Sequence, residues 1–227
     1  MKKMISLLVV AMMAIPTFAQ SAIELAKQQQ ELNSVNKKLL KEKPTKEAKK
    51  QAKELKKEGW KVPAGDILEA QLTESQLYGA ELMADENGAP TKRYILHTAV
   101  TTSGTYNAGY AAARNNAQIE LAAMLKTEIV AAMQGKLDNA QTSAINATTV
   151  DKFNQRAKAI VDQAVTNALP IVRIYRTLPN NNYQVQVRIA FDKKELAARL
   201  KRNMQKELEN EGDELNGIVD DILSTKF

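Results

Sequence analysis

The sequence has no cysteine, one histidine and one tryptophan, and aromatic residues make up only 5% of it. Without cysteine there is no disulfide framework, thiolate zinc site, thiol nucleophile or lipid-bearing N-terminal cysteine. A single histidine, His97, excludes a multi-histidine metal centre and leaves one candidate imidazole base. After residue 19 no stretch is apolar enough to span a bilayer, so no transmembrane segment is expected in the mature chain. What is present is 227 residues, 44% of them hydrophobic, with 32 Lys and Arg against 26 Asp and Glu, a formal charge of +6. That length suits one or two domains, and the apolar fraction is enough for one real core.

The first residues read as an address. Lys2 and Lys3 precede an apolar run from Ile5 to Ile15 interrupted only by Ser6; Pro16 breaks it, and Thr17-Phe18-Ala19 has the small residues of a cleavage site. The pattern predicts a signal peptide over 1–19 and export, to the periplasm, the outer membrane or the exterior. The remaining charge is polarised. Lys37 to Lys61 carries 11 Lys and 4 Glu, whereas Asn203 to Phe227 carries 2 Lys and 7 acids.

Three units are expected: the signal peptide at 1–19, a lysine-rich helical arm and linker at 20–65, and an α+β domain with C-terminal helices at 66–227. In the arm, one weak helix spans Ser21 to Leu40. A second, Lys46 to Glu58, is capped by Thr45 and has only Ala48, Ala52 and Leu55 as apolar content. A helix this polar gains little from packing, so it reads as a solvated arm, with Trp60 and Val62 pinning it to the domain. Its Lys46, Lys49, Lys50, Lys53, Lys56 and Lys57 suit either a charged spacer or contact with an anionic surface. Nucleic acid is not expected, because the chain leaves the cytoplasm and the arm has no interleaved aromatics.

In the domain, Asp66 is placed to cap a helix running through Ile67, Leu68, Leu72 and Leu82, and residues 85–90 read as a turn. Arg93 to Thr102 alternates as a strand. Thr105 caps a long alanine-rich helix along Tyr106, Tyr110, Ala113, Ala117, Leu121 and Leu125. A second helix, Val150 to Leu169, is stopped by Pro170. Strands follow at Ile171 to Arg176 and Tyr183 to Phe191. In the last, Tyr183, Val185, Val187, Ile189 and Phe191 take every second place, which predicts one buried and one open face. Asp192 with Glu195 forms a capping-box pattern ahead of a further helix, and a short one follows Gly212. The expected architecture is a three-stranded antiparallel sheet covered on one face by two long helices.

The run Ala108, Ala112-Ala113-Arg114, Ala117, Leu121-Ala122 and Ile129, followed by the hairpin ending in Tyr183 to Ala190, resembles the LPP20-like family of bacterial surface lipoproteins. The lysine-rich leader before Gly59-Trp60-Lys61-Val62-Pro63 is similar to that of secreted proteins of Bacteroides-type bacteria. The resemblance covers Tyr94 to Phe191. It implies a small α+β domain and an envelope location, and it brings no catalytic residues. The family's lipid-bearing Cys is absent here, so its anchored state does not carry over.

Chemistry-bearing patterns are few. His97 lies mid-strand, and Ser103 has no nucleophile-elbow sequence around it. Glu207, Glu209, Glu211 and Gly212 imitate a calcium loop, but its twelfth place is Ile218 where a bidentate Glu is required. No metal or cofactor is expected. The open sheet face is expected to present Arg93, His97, Arg173, Tyr175, Gln184, Gln186 and Arg188, for solvent, a partner or a second copy. These readings favour an exported, non-enzymatic envelope protein acting as a docking or oligomer-forming module. The alternatives are a protein binding a small ligand or peptide between sheet and helices, and a hydrolase using His97 with a carboxylate.

Overall fold

The computed structural model describes residues 44–84, 89–139 and 147–208, the side chains of 135–139, 147–150, 152 and 204–208 excepted. The expected signal peptide, the helix at Ser21 to Leu40, most of the turn at 85–90, the calcium-like sequence and the helix after Gly212 lie outside these described parts. The elements in chain order are α1 (Lys46–Lys57), α2 (Leu68–Ala80), β1 (Leu82–Ala84), β2 (Pro90–Lys92), β3 (Tyr94–Ser103), α3 (Tyr106–Asn139), α4 (Ala147–Val165), β4 (Leu169–Thr177), β5 (Tyr183–Asp192) and α5 (Lys193–Leu208). The fold is α+β. Its main sheet is antiparallel with order β3-β5-β4, and β1 pairs with β2 in a separate two-stranded sheet.

The central strand is the one with the regular alternation. Val185, Val187, Ile189 and Phe191 share a core with Ala113, Ala117, Leu121 and Leu125 of α3 and Ile160, Val161 and Val165 of α4. Small residues on α3 let it lie close to the sheet. At Gly109 a Cβ would stand 2.6 Å from Val185 Cγ2, and the Thr101 hydroxyl donates to the Gly109 carbonyl at 2.8 Å. Thr105 caps α3 as expected, its hydroxyl accepting from the Ala108 amide at 3.3 Å.

The second face of the sheet is not left to water. Ile171, Val172, Ile174 and Ala190 form a second core there with Leu68 and Leu72 of α2, Ala48 and Ala52 of α1, and Trp60. The helix expected to be a solvated arm is therefore part of the fold. Its apolar content is small, but alanines allow two helices to approach closely, so a narrow stripe is enough to seat α1 on α2. The sequence boundary at residue 65 cuts through this shared core. Trp60 does hold the segment to the domain: Lys61 and Tyr175 exchange backbone hydrogen bonds of 2.7 and 2.8 Å beside it, and the Arg176 guanidinium lies 4.8 Å from the indole ring centre.

Several local expectations are corrected. Asp66 does not cap α2, whose N-cap is Ile67; the Asp66 carboxylate instead takes Arg173 and Gln71. Leu82 belongs to β1, not to the preceding helix. Pro170 lies inside β4, at a register shift between Pro170 and Val172, where an edge strand tolerates a residue without an N–H. Only half of the capping box forms. Asp192 accepts from the Lys194 amide at 2.9 Å, while Glu195 bonds Arg199.

Candidate functional site

On a helix with 3.6 residues per turn, the six lysines of α1 fall within an arc of roughly 120°, opposite Ala48, Ala52 and Leu55. Burying that alanine stripe fixes which way the lysines look. Thr45 starts the helix on both sides of the contact: its hydroxyl accepts from the Ala48 amide at 3.0 Å and donates to Gln76 of α2 at 2.6 Å, while its own amide donates to the Thr73 hydroxyl at 3.2 Å. Along the seam with α2, Lys49, Lys53, Lys56, Lys57 and Glu69 line a groove of about 450 Å³. Lys56 donates to Glu69 at 2.6 Å, and that hydrogen bond lowers the Glu69 carboxyl below its ordinary range. Four cations facing one carboxylate leave a net positive groove, suited to anions carrying several charges.

The structure divides the seven residues expected to share one open sheet face. Pairing fixes the sides. His97 stands opposite Ile189, Arg173 opposite Val187 and Tyr175 opposite Val185, so all three belong to the face roofed by α3. Gln184, Gln186 and Arg188 take the other face, beneath α1 and α2. Arg93 precedes β3 and binds Glu81 at 2.9 Å and Asp192 at 2.6 Å. A strand's own more apolar side suggests the face it turns to the core. For β3 that side, Tyr94 and Leu96, packs on the second core instead.

Six of the seven have partners of their own in the fold. Arg173 makes a two-pronged pair with Asp66, at 2.7 and 2.9 Å, which holds the Asp66 carboxyl below its usual range. Tyr175 joins a chain of rings with Tyr106 at 5.0 Å and Tyr183 at 5.9 Å. Gln184 accepts from Arg176 at 2.7 Å. Arg188 donates to the Thr98 and Ser75 hydroxyls at 3.0 and 2.9 Å, and burial without a carboxylate partner lowers its pKa. Arg93 is held charged by its hydrogen bond to Asp192; its guanidinium also lies 5.0 Å from the centre of the Tyr94 ring, whose hydroxyl burial pushes up to about 12.

His97 does have a carboxylate. Its Nε2 is 2.8 Å from Glu120 of α3. Ser103 lies on the same face but six residues along the strand, roughly 20 Å away at a strand's rise, too far to be its nucleophile. Among the described residues no group of three or more His, Cys, Asp or Glu side chains is arranged to hold a metal, and no helix is long and apolar enough to cross a membrane. The space between sheet and helices is filled by Val185, Val187, Ile189, Leu121 and Leu125, all without exposed surface.

Sequence reasoning missed the pairs that join distant segments: Arg93 with Asp192, Arg173 with Asp66, and His97 with Glu120. No local spacing signals them. The groove was visible in part, because the lysine arc follows from the 3.6 period, whereas Glu69 as its opposite wall does not. Comparisons with protein-family models, curated proteins and solved structures find no match.

Proposed function

We propose that this chain is an exported, non-enzymatic envelope protein that attaches to a phosphate-bearing anionic surface through the lysine face of α1. The observation that carries the reading is the fixed arc of Lys46, Lys49, Lys50, Lys53, Lys56 and Lys57, seated by Ala48 and Ala52. A lysine row on a free chain spreads its charge over many conformations. Docked on α2, the same row is presented on one side, so less ordering entropy opposes each contact. The signal-peptide pattern at 1–19 supports an envelope setting, and so does the resemblance to the LPP20-like family.

Co-sedimentation with phosphatidylglycerol vesicles, against phosphatidylcholine as control, tests the attachment. Each lysine near an anionic lipid surface contributes about 1 kcal/mol, so Lys49→Gln, Lys53→Gln, Lys56→Gln and Lys57→Gln together are expected to weaken binding by about a hundredfold or more. Binding is expected to fall steeply as salt shortens the Debye length. Equal retention on neutral and anionic vesicles, or a quadruple variant that binds like the parent, refutes the attachment. Recovery of the cell-associated protein with Met1 intact refutes export.

A further inference from the structure

The main sheet has two edges, and they are finished differently. On β4 the Tyr175 amide donates to Lys61 and the Arg173 amide to the Gln71 side chain. Residues outside the sheet thus close that edge, and a bulge lies near its start. On β3 the backbone pairs with β5 over an unbroken register from Tyr94 to Ser103. Among the described residues, no backbone group of β3 has a partner on its outer side. The strand reads Tyr-Ile-Leu-His-Thr-Ala-Val-Thr-Thr-Ser, with no Lys, Arg, Asp, Glu, Pro or Gly. Proteins keep edges from pairing by short strands, charges, prolines, bulges or a cover. This strand of ten residues has none of the sequence devices, while the opposite edge of the same sheet is closed.

We propose that β3 pairs antiparallel with β3 of a second copy across a two-fold axis at Val100, joining the two sheets into one of six strands. Val100 is the edge residue that asks for cover: it is 47% exposed, on the second sheet face. An axis there sets Val100 opposite its own copy and Thr98 opposite Thr102, and cross-strand pairs of β-branched residues are favourable. On the other face His97 meets Ser103. The two copies of His97 lie roughly 20 Å apart, so they do not meet across the axis. A strand without Lys, Arg, Asp or Glu gives a partner of opposite charge little to read, but it suits its own copy. The pairing is isologous and closes at two subunits. It is independent of the lysine face.

Sedimentation equilibrium on the full chain over a concentration series tests it. The parent protein is expected to have twice the monomer mass. Val100→Lys puts two ammonium groups face to face and is expected to weaken the dimer at least about a hundredfold, and Val100→Glu likewise. An equimolar mixture of the two variants is expected to recover the doubled mass, which also shows that both are folded. A monomeric parent, a mass of three or more copies, a Val100→Lys variant that stays dimeric, or a mixture that stays monomeric each overturns the pairing.

Discussion

Gly109→Ala is expected to destabilise the protein, although alanine is the better helix former. Gly109 stands in the first turns of α3, where the helix crosses the central strand. An added Cβ there lies 2.6 Å from Val185 Cγ2 and 3.3 Å from Val185 Cβ. Carbon atoms in ordinary contact sit about 3.5–4.0 Å apart, so the shortfall is about 1 Å. Val185 cannot retreat, because it is fully buried on the strand between β3 and β4. The helix is held down by the hydrogen bond from Thr101 to the Gly109 carbonyl and by the buried Ala113 and Ala117. Replacing Gly in a helix gains up to about 1 kcal/mol, while forcing extra volume into a packed site costs about 1–3 kcal/mol. The second effect wins, with a net loss of about 1–2 kcal/mol. Urea denaturation followed by circular dichroism measures it. Val185→Ala removes the obstructing methyl, so the double variant is expected to lose less than the sum of the singles by about 1 kcal/mol. A Gly109→Ala protein as stable as the parent, or strictly additive losses, refutes the close approach.

Three further outcomes follow from the same geometry. Ala52→Asp sets a carboxylate into the buried seam between α1 and α2 and is expected to undock α1; trypsin should then cut at Lys49, Lys53 and Lys56 faster than in the parent, while the main sheet keeps its dichroism. Arg188→Met removes a half-buried cation whose partners are hydroxyls and is expected to change stability by less than about 1 kcal/mol, whereas Arg93→Met removes the ion pairs to Glu81, a carboxylate only 5% exposed, and to Asp192, and is expected to cost about 3 kcal/mol; equal losses refute the distinction. Asp66 and Glu69 have folded pKa values below their ordinary 3.8 and 4.5, by their hydrogen bonds to Arg173 and Lys56. Their contribution is present above those ordinary values and is lost as pH falls through the lower, folded ones, so Asp66→Asn is expected to flatten the acid limb of the stability–pH curve, and an unchanged limb counts against the pairing.

The legible parts of the fold are those with a local period. Val185, Val187, Ile189 and Phe191 marked the buried side of β5, and Ala113, Ala117 and Leu121 marked the roof, because a two-residue and a 3.6-residue repeat each assign a face without reference to anything distant. Thr45 and Thr105 were readable as caps for the same reason. Asp66 has the same capping chemistry, yet it went to Arg173, 107 residues away, since a two-pronged ion pair outbids one amide hydrogen bond. The expected interaction face failed at one step. The more apolar side of their own strands leaves His97, Arg173 and Tyr175 on the open face, but an edge strand's phase is set by its pairing with β5. The groove on α1 was half legible: the lysine arc is periodic, while its orientation depends on two alanines meeting α2.

The amino-acid order alone therefore determined the element types, the apolar side of the central strand and the single-signed face of α1, because each is written in spacing over a few residues. Only the tertiary structure decided that α1 is docked, that both faces of the sheet are covered, and that, among the described residues, β4 is closed at its edge while β3 is open. Those depend on which segments meet across a hundred residues of chain, and strand register and alanine seams carry no mark in the sequence of the partner they will find.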